Sequence, residues 1–414
     1  MNIAMKKIIV LIIIVCNYSV NYAQIVDIPD ANFKFTLVNY PCVDTNGDGF
    51  GDSDADTNND GEIQVSEAEN VQGLYFTNNN IESFEGIQSF TNLLVLFFSC
   101  DSIINFDLTQ NILLETLTFA GDNVSSINLS QNINLLELQI NSNTQITELD
   151  LTNNPQLLIL NCGYNPITTI DISQNINLTS LACYNTVITE IDLSGNPNLE
   201  YVFLKDNQLT SLDITNNPNL IEVDCHNNQI TSLNVSQNPN LVDLFCSENQ
   251  ITSLDISENS FINRVTCENN LLSSLNLKND NNIIITKMWA HDNPNLTCIQ
   301  IDDINYPSSQ VCTSSNGWCK DETAIYSEDC SLGIGDILAT QITIYPNPIQ
   351  DMLIIANNST TKISTIKIYD VLGRELLISK GDIKQLDVST LSSGILFVQI
   401  ETDEGGLINK VVKE

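Results

Sequence analysis

The sequence predicts a mainly β solenoid, in which short repeats of the chain stack on one another. An apolar pattern recurs every 21, 22 or 23 residues over residues 71–302, which gives eleven repeats. Each repeat holds two short runs in which apolar and polar residues alternate, as they do in a β-strand. No segment between these runs is long and periodic enough for a helix. Because a repeat of this size cannot bury its apolar face alone, neighbouring repeats must stack.

The repeat is clearest in residues 220–259, where two successive copies carry the same residue types at eight positions. In the second copy these positions hold Leu241, Leu244, Cys246, Asn249, Ile251, Leu254, Ile256 and Asn259. We expect strands of neighbouring repeats to pair in parallel about 4.8 Å apart, so that the array extends roughly 50 Å. The repeats begin at Val71, Leu93, Leu114, Leu135, Leu157, Leu178, Leu199, Leu220, Leu241, Ile262 and Ile285.

Two further positions of the repeat have a predicted structural role. The sixth position accepts cysteine and large apolar residues alike, so we interpret its thiols as reduced, buried packing residues. A metal or redox column is the alternative, but Leu204 interrupts the column and partner histidines are lacking. The cysteines are Cys162, Cys183, Cys225, Cys246 and Cys267. The asparagines at the ninth position should point inward and bond the turn backbone; they include Asn207, Asn228, Asn249 and Asn270.

The motif L-x-x-L-x-C-x-x-N-x-I-T-x-L-D-L-S-x-N-P-x resembles the leucine-rich repeat family, and most closely the short bacterial surface repeats of internalin type. The resemblance covers residues 71–302. It agrees with the physical prediction of a flattened, right-handed coil of about 21-residue repeats, closed by an N-terminal and a C-terminal cap.

Residues 1–23 have the pattern of a secretory signal peptide, with Lys6 and Lys7, an apolar run over 8–15 and a Tyr22-Ala23 end. The apolar run is too short to span a membrane, so no transmembrane anchor is predicted. Residues 24–70 are predicted to form the N-terminal cap. They begin with a short helix that resembles the opening of caps on flavobacterial repeat proteins.

Within this cap, residues 56–67 match the calcium-loop spacing D-x-N-x-D-G-x-I-x-x-x-E. Calcium needs oxygens at offsets 1, 3 and 5, a glycine at offset 6 and a bidentate carboxylate at offset 12. We predict a structural calcium ion here, against the alternative of a solvated acidic loop. The predicted ligands are Asp56, Asn58, Asp60, Glu62 through its backbone carbonyl, and Glu67.

A second acidic run lies just upstream, with Gly49 at its turn. It lacks a carboxylate at offset 12, where Ala55 stands, and is closer to the calcium loops of thrombospondin type. A second calcium ion is therefore a weaker hypothesis. Its ligands would be Asp44, Asn46, Asp48 and Asp52.

The third, fifth and seventh residues of each repeat should point outward from its first strand. We interpret the aromatic residues there, beside acids, as a binding face for a protein or a glycan. Ordinary cross-strand packing is the alternative. The candidate ligand-binding residues at these positions are Tyr184, Tyr201, Phe203, His226, Phe245 and Trp289, with Tyr164 one residue further on in its repeat.

The fifteenth position forms an outward column of acids and asparagines that includes Asp150, Asp171, Asp192 and Asp213. Carboxylates stacked about 5 Å apart repel, so hydrogen bonds must offset the repulsion. We expect them from neighbouring hydroxyl groups, for which the candidates are Thr210, Ser211, Thr231 and Ser232.

Charge and reactive residues argue against two classes of function. The chain carries 51 acidic and 15 basic residues, a formal net charge of −36, which disfavours nucleic acid and anionic membranes as partners. The only histidines are His226 and His291. Cys225 and His226 face opposite sides of a strand, and no nucleophile, base and orienting group come together. The chain is therefore predicted not to be an enzyme.

Cys298 lies near the end of the last repeat, and Cys312, Cys319 and Cys330 follow in a predicted C-terminal cap over residues 303–332. Four cysteines in so short a segment of an exported protein predict two disulfides that staple this cap. Their number leaves three pairings open. The segment resembles the C-terminal cap of flavobacterial repeat proteins, which implies Cys298–Cys330 and therefore Cys312–Cys319. Cys42 and Cys100 either pair with each other or stay free.

Residues 333–340 read as a linker, after which short alternating runs separated by turns predict a small Ig-like β-sandwich over residues 341–414. The motifs at 345–348, 368–374, 391–394 and 410–414 resemble the C-terminal sorting domain of the type IX secretion system. The resemblance implies recognition by that machinery and export across the outer membrane of a Bacteroidetes-type bacterium. It also implies cleavage by a sortase-like peptidase, with attachment to surface lipopolysaccharide or release.

Together these observations predict a secreted or cell-surface binding protein without catalytic activity, whose ligand is an extracellular protein or glycan. Two alternatives remain. One is a structural spacer or surface-layer component, and the other is an accessory domain of an extracellular polysaccharide-degrading system.

Overall fold

The computed structural model describes residues 24–414 except 78–79, 101, 122, 142–144, 308–309, 331–340, 359–360, 382 and 404–405. The predicted signal peptide and linker lie outside the described residues. The chain forms two compact units. Among the described residues, the first comprises 24–273, 279–295 and 310–321, and the second comprises 274–278, 296–309 and 322–414. Among the described residues, no helix has the length and apolar character needed to cross a membrane.

A twelve-stranded parallel sheet forms the backbone of the first compact unit. Each of the eleven repeats contributes one strand and the C-terminal cap adds the twelfth, so the predicted solenoid is confirmed. In chain order the strands are β1 (Gly73–Thr77), β2 (Val95–Ser99), β3 (Thr116–Ala120), β4 (Glu137–Gln139), β5 (Ile159–Asn161), β6 (Ser180–Ala182), β7 (Tyr201–Phe203), β8 (Glu222–Asp224), β9 (Asp243–Phe245), β11 (Arg264–Thr266), β13 (Lys287–Ala290) and β15 (Gly317–Lys320).

The apolar pattern sets the register of this sheet. Equivalent positions of neighbouring repeats pair directly, as Val223 does with Leu244 and Leu244 with Val265. Leu244 and Cys246 are fully buried, as are the equivalent side chains of the repeats on either side. The cysteine column is thus a packing column: in the described residues Cys162, Cys183, Cys225, Cys246 and Cys267 are all free and buried.

The prediction of two strands in every repeat was wrong for most of the array. Among the described residues, second strands occur only near its C-terminal end, as β10 (Ser253–Asp255), β12 (Ser274–Asn276), β14 (Cys298–Gln300) and β16 (Ile325–Ser327). In earlier repeats the same leucines are still buried, as Leu212 and Leu233 show. Alternation therefore dictates which side chains face the core, whereas ladder pairing depends on how closely neighbouring segments approach.

Buried asparagines satisfy the backbone of the turns, as predicted for the ninth position. Asn228 donates from Nδ2 to the carbonyls of Leu204 and Cys225, both at 3.0 Å, and its Oδ1 accepts from the Leu209 amide. The nineteenth position carries a second ladder that the sequence analysis missed. There Asn217 donates to the carbonyls of Leu193 and Asn196 at 3.0 and 2.9 Å. The sequence pattern that could have predicted this second ladder is the asparagine that recurs immediately before proline.

The N-terminal cap contains α1 (Ala31–Asn39) and the short α2 (Val65–Ala68). Phe33 and Leu37 of α1 are fully buried, as the amphipathic pattern predicts. Asp30 caps α1 by accepting from the amides of Asn32 and Phe33. Its other carboxylate oxygen accepts from the amides of Glu82 and Ser83 in the first repeat. One carboxylate therefore fastens the cap to the array.

Two disulfides lie near the end of the array, each within one compact unit. Cys298 and Cys330 are bonded in the second unit, where β12, β14 and β16 pair in parallel. Cys312 and Cys319 are bonded in the first. The pairing is the one that the cap resemblance implies. Cys42 and Cys100 are buried and are not joined in a disulfide.

The C-terminal segment of the second compact unit holds a three-stranded sheet of order β17-β18-β21 and a four-stranded sheet of order β20-β19-β22-β23, both antiparallel. A single apolar core joins them and includes Leu353, Ile366 and Val398. The strands are β17 (Ile342–Tyr345), β18 (Met352–Asn357), β19 (Ile363–Asp370), β20 (Glu375–Lys380), β21 (Gln385–Asp387), β22 (Gly394–Thr402) and β23 (Gly406–Lys413).

Candidate binding face

We call the outward surface of the twelve-stranded sheet the repeat face. Residues 71–302 contain four lysine or arginine residues, and all but Lys278 lie on this face. Both histidines of the chain lie there as well. Each of the three cations sits over an aromatic ring: Lys205 Nζ is 5.6 Å from the centroid of Tyr184, Arg264 Cζ is 5.1 Å from that of Phe245, and Lys287 Nζ is 3.6 Å from that of Trp289. The positive charge of the array is thus concentrated on one surface.

A cavity of about 510 Å³ opens in the middle of the repeat face. Two of its rings, Tyr164 and Tyr184, meet edge to face with centroids 5.3 Å apart. The small side chains of Ser180 and Ala182 also line it, which leaves the space open. A Cβ atom at Gly163 would lie 2.7 Å from the Tyr184 ring, so only glycine permits this ring position.

Tyr164 occupies the eighth position of its repeat in a left-handed conformation, with φ of 57°. Neighbouring repeats place Asn185, Asp206 and Asn227 there, at φ of 52°, 56° and 53°. Short polar residues adopt this conformation readily, whereas it costs other residues about 1–2 kcal/mol. Tyr164 is also half exposed, at 50%. A bulky ring is therefore held at a position where the fold favours asparagine.

The C-terminal half of the repeat face is a network of paired charges. Arg264 donates to both carboxylate oxygens of Asp243, at 2.6 and 2.5 Å. His226 Nδ1 lies 2.6 Å from Asp224 Oδ1, and the hydrogen bond to this carboxylate raises the pKa of His226. The face therefore presents groups of both signs in fixed geometry.

Two polar atoms beside Lys287 are buried without a partner. These are Trp289 Nε1 and Glu268 Oε2. Burial raises the pKa of Glu268, which favours its neutral form. An unsatisfied buried donor or acceptor typically costs about 1–3 kcal/mol. A ligand that supplied hydrogen bonds here would recover part of that energy.

The predicted face residues are thus assembled on one sheet, but most are less exposed than expected. Among them Tyr164 alone is exposed. The half-buried residues are Tyr184, Tyr201, Phe203, His226, Phe245 and Trp289. Sequence reasoning missed Lys205, Arg264 and Lys287. Only the proximity of Lys287 to Trp289 could have been predicted from the local sequence, because residues two apart point to the same face of a strand.

The acidic residues at the fifteenth position bond differently from the expectation. Asp213 Oδ1 accepts from the amide and the hydroxyl of Thr215, at 2.9 and 2.6 Å, and not from Thr210 or Ser211. This hydroxyl and amide lower the pKa of Asp213. The same pattern joins Asp150 to Thr152. The chain turns immediately after this position, which brings the residue two places later within reach.

The loop over residues 56–67 folds around its own carboxylates. The amides of Asp60 and Gly61 donate to the two oxygens of Asp56 at 3.1 and 2.8 Å. The Glu67 carboxylate accepts from the amides of Asn58 and Gln64, so it bridges both ends of the loop. Asp56 and Glu67 are both buried. Side-chain oxygens at the first and twelfth offsets therefore face the loop interior, as a calcium ligand set requires.

The upstream loop is shallower. Asp44 accepts from the amides of Gly47 and Gly49, at 2.6 and 2.9 Å, and Asp52 accepts from Thr45. The Gly49 amide is the main group that lowers the pKa of Asp44. In the described part of the chain, no three His, Cys, Asp or Glu side chains are grouped closely enough to hold a metal ion. Calcium at either loop therefore stays a prediction.

No catalytic arrangement joins Cys225 and His226. Cys225 is fully buried and burial raises the pKa of its thiol, whereas His226 lies on the repeat face. The thiol is therefore neutral and out of reach of the imidazole.

Residues 343–414 match the family model described as secretion system C-terminal sorting domain. The chain thus carries a secretion sorting domain after its repeat solenoid. The sorting domain directs export to the cell surface or the medium and implies contact with the type IX secretion machinery. A comparison with curated proteins found no match.

Several solved structures are similar to this chain. The functional domain of InlJ from Listeria monocytogenes, described as including a cysteine ladder, is 19% identical with a TM-score of 0.44, over 94% of this chain and 98% of that one. The internalin InlF of the same organism is 20% identical with a TM-score of 0.40, over 71% and 95%. YopM from Yersinia enterocolitica is 22% identical with a TM-score of 0.44, over 56% and 52%.

Proposed function

We propose that the exported chain is a binding protein without catalytic activity, whose repeat face recognises an extracellular protein. The observation that carries this proposal is the set of three cations, each seated over an aromatic ring. Tyrosine, tryptophan and arginine are the residue types that dominate protein interfaces. Their pairing with carboxylates adds groups of both signs, which favours a polar protein surface as the ligand.

The strained tyrosine offers a sharp test. We expect Tyr164→Asn to leave the thermal melting temperature unchanged or slightly higher, because neighbouring repeats hold asparagine or aspartate in this conformation. Ligand binding should fall, because the cavity loses one of its two perpendicular rings. Glu248→Asn is the matched control, because Glu248 occupies the same position of the repeat that begins at Leu241, with φ of 53°. It makes the change to asparagine in the same backbone conformation and should not reduce ligand binding.

The ligand is sought by capture from the proteins and glycans of the native habitat on the immobilised chain. A bound species must be lost from the triple variant Tyr184→Ala, Tyr201→Ala and Phe203→Ala at an unchanged melting temperature. It must be retained by Ile176→Ala, which removes an exposed apolar side chain from a turn. Identical capture by both variants would support a structural spacer instead.

A glycan is the second candidate ligand, and the cavity favours it. Tyr164 and Tyr184 offer ring faces or edges on which a sugar could pack, while Asn161 and Gln139 line the same space with amides. This reading would make the chain an accessory to polysaccharide breakdown. A glycan array probed with the intact chain and the Tyr164→Asn variant separates the two ligands.

We also propose that the loop over residues 56–67 binds a structural calcium ion. Asp56, Asn58, Asp60 and Glu67 would hold it through side chains and Glu62 through its carbonyl. Calorimetric titration should show binding that Asp60→Ala abolishes and that Asp27→Ala, an exposed aspartate outside the loop, preserves. Absence of heat at millimolar calcium with the intact chain would refute it.

A further inference from the structure

A second surface lies between α1 and the first two strands, away from the three cation–ring pairs. We call it the N-terminal groove and define it by Phe35, Tyr40, Phe50, Tyr75 and Phe97. Its volume is about 780 Å³. Phe50 is 74% exposed and Phe35 and Tyr40 are each 53% exposed. Large rings that line one space at this exposure form a patch of the kind that marks interaction sites.

The groove is built from rigid parts. Tyr75 and Phe97 stand on β1 and β2 with near-parallel rings and centroids 6.2 Å apart. Phe50 belongs to the upstream acidic loop, which Gly51 fastens to the cap. A Cβ atom at Gly51 would lie 2.0 Å from the Pro41 carbonyl oxygen, so only glycine allows this approach.

The rim of the groove is acidic. Asp44, Asp48 and Asp52 belong to the loop that carries Phe50, and none of them forms an ion pair with any described residue. The Asp44 amide donates to the carbonyl of Gly73 at 3.2 Å, which holds the acidic loop beside β1, the strand that carries Tyr75. Gly49 and Phe50 of the same loop line the groove, so the carboxylates lie at its edge.

Neutralising charges are scarce in this half of the chain. Residues 24–204 contain 24 acidic residues and a single basic one, Lys34. Lys34 is already paired with Glu62 at 2.5 Å. The groove thus combines exposed aromatic faces with an uncompensated negative field.

We propose that the N-terminal groove docks a basic, apolar segment of a partner protein, in which lysine or arginine flanks aliphatic side chains. Ring faces attract cations, and the carboxylate rim pairs with them at the edge. The apolar side chains of the segment would cover Phe35 and Phe50. Anionic glycans and nucleic acids are excluded by the same charge, and neutral glycans gain nothing from the rim.

Peptides test this proposal on the chain without its predicted signal peptide. We expect a ten-residue peptide that alternates arginine and leucine to bind, and a matched peptide with glutamate in place of arginine not to bind. Phe50→Ala and Phe97→Ala should each weaken binding at least about tenfold. Asp48→Asn should weaken it about threefold, with a loss that shrinks in high salt. Fluorescence anisotropy of the labelled peptides gives each dissociation constant.

Phe261→Ala is the control, because Phe261 is 56% exposed but lies on a turn of a distant repeat. It should leave peptide binding unchanged, as should Tyr164→Asn on the repeat face. Equal binding of both peptides, or full affinity in Phe50→Ala, would overturn the proposal. Such a result would not contradict the proposal that the repeat face binds a ligand, because that proposal is tested with different variants and a different ligand.

Discussion

Asparagine is the residue on which this array depends at the smallest scale. A solenoid of short repeats has many turns, and each turn leaves backbone carbonyls inside the coil with no strand to bond them. An amide side chain is short enough to stay buried and carries two donors. Asn217 uses them to join its own repeat to the preceding one, since its partners Leu193 and Asn196 both belong to residues 178–198.

Removing one asparagine of this ladder should therefore lower the free energy of unfolding. Asn217→Ala removes one of the two donors from each of two carbonyls, which then keep only the backbone amides of Asn196 and Leu199. We therefore expect a loss of roughly 1–3 kcal/mol in the free energy of unfolding. Urea unfolding followed by circular dichroism measures it. Asn219→Ala is the matched control, because its amide also bonds a carbonyl of the preceding repeat but is exposed. A loss of similar size in both variants would contradict a special role for burial.

Asp30 makes a pH-dependent contribution. Burial raises its pKa, but four amides outweigh this and hold the pKa below the ordinary value of 3.8. A lowered folded-state pKa means that the stabilisation is complete above the unfolded value and is lost as pH falls through the folded value. We expect Asp30→Ala to cost about 1 kcal/mol or more at pH 7. The difference from the unmodified chain should shrink below pH 3.8, whereas Asp27→Ala should show no such dependence.

At the scale of elements, the two ends of the array are protected by different means. The N-terminal cap uses a helix whose Phe33 packs against Phe76 and Phe84, with ring centroids 5.9 and 5.1 Å apart. The C-terminal end adds β15 as a last strand and two disulfides. Both devices cover an apolar end that would otherwise meet water.

The two disulfides should differ in their contribution. Loop-closure entropy predicts about 3.5 kcal/mol for Cys298–Cys330, which spans 32 residues, and about 2.5 kcal/mol for Cys312–Cys319, which spans 7. Replacing each pair by serine and measuring denaturant midpoints gives the order. A larger loss for the shorter loop would show that native packing, not chain entropy, controls the effect.

At the scale of the whole molecule, the repeats and the sorting domain have different roles: the repeats are proposed to bind a ligand, and the sorting domain directs export. The repeats and their two caps together hold nearly all of the negative charge, because residues 341–414 contain nine acidic and seven basic residues. A high net charge of one sign favours solubility and disfavours self-association.

Deletion of residues 341–414 tests this division directly. We expect the shortened chain to fold, because the repeats and the sorting domain have separate apolar cores, and to accumulate in the periplasm. Protease accessibility on intact cells, with the full chain as control, reports the location. Surface display of the shortened chain would refute the role of the sorting domain in export.

Much of the fold could be predicted because it follows from the local periodicity of apolar residues. Leu244 and Cys246 stand two residues apart in an alternating run, so both face inward, as do the equivalent residues of the other repeats. Eleven repeats with this run predict eleven strands. The sorting domain was predicted in a different way, from motifs within it that resemble a known family. Periodicity could not predict which segments form a second ladder, since pairing there depends on the distance between neighbouring repeats.

Sequence alone determined which side chains are buried, which face outward and that the chain is exported. Three-dimensional packing determined which outward groups meet. Lys205 lies over a tyrosine 21 residues earlier, and Phe50 is brought to Tyr75 and Phe97 by a loop that a single glycine fastens. Burial follows from the hydrophobic effect acting on each residue type, whereas these contacts depend on the spacing of neighbouring strands and the path of loops, which no local pattern records.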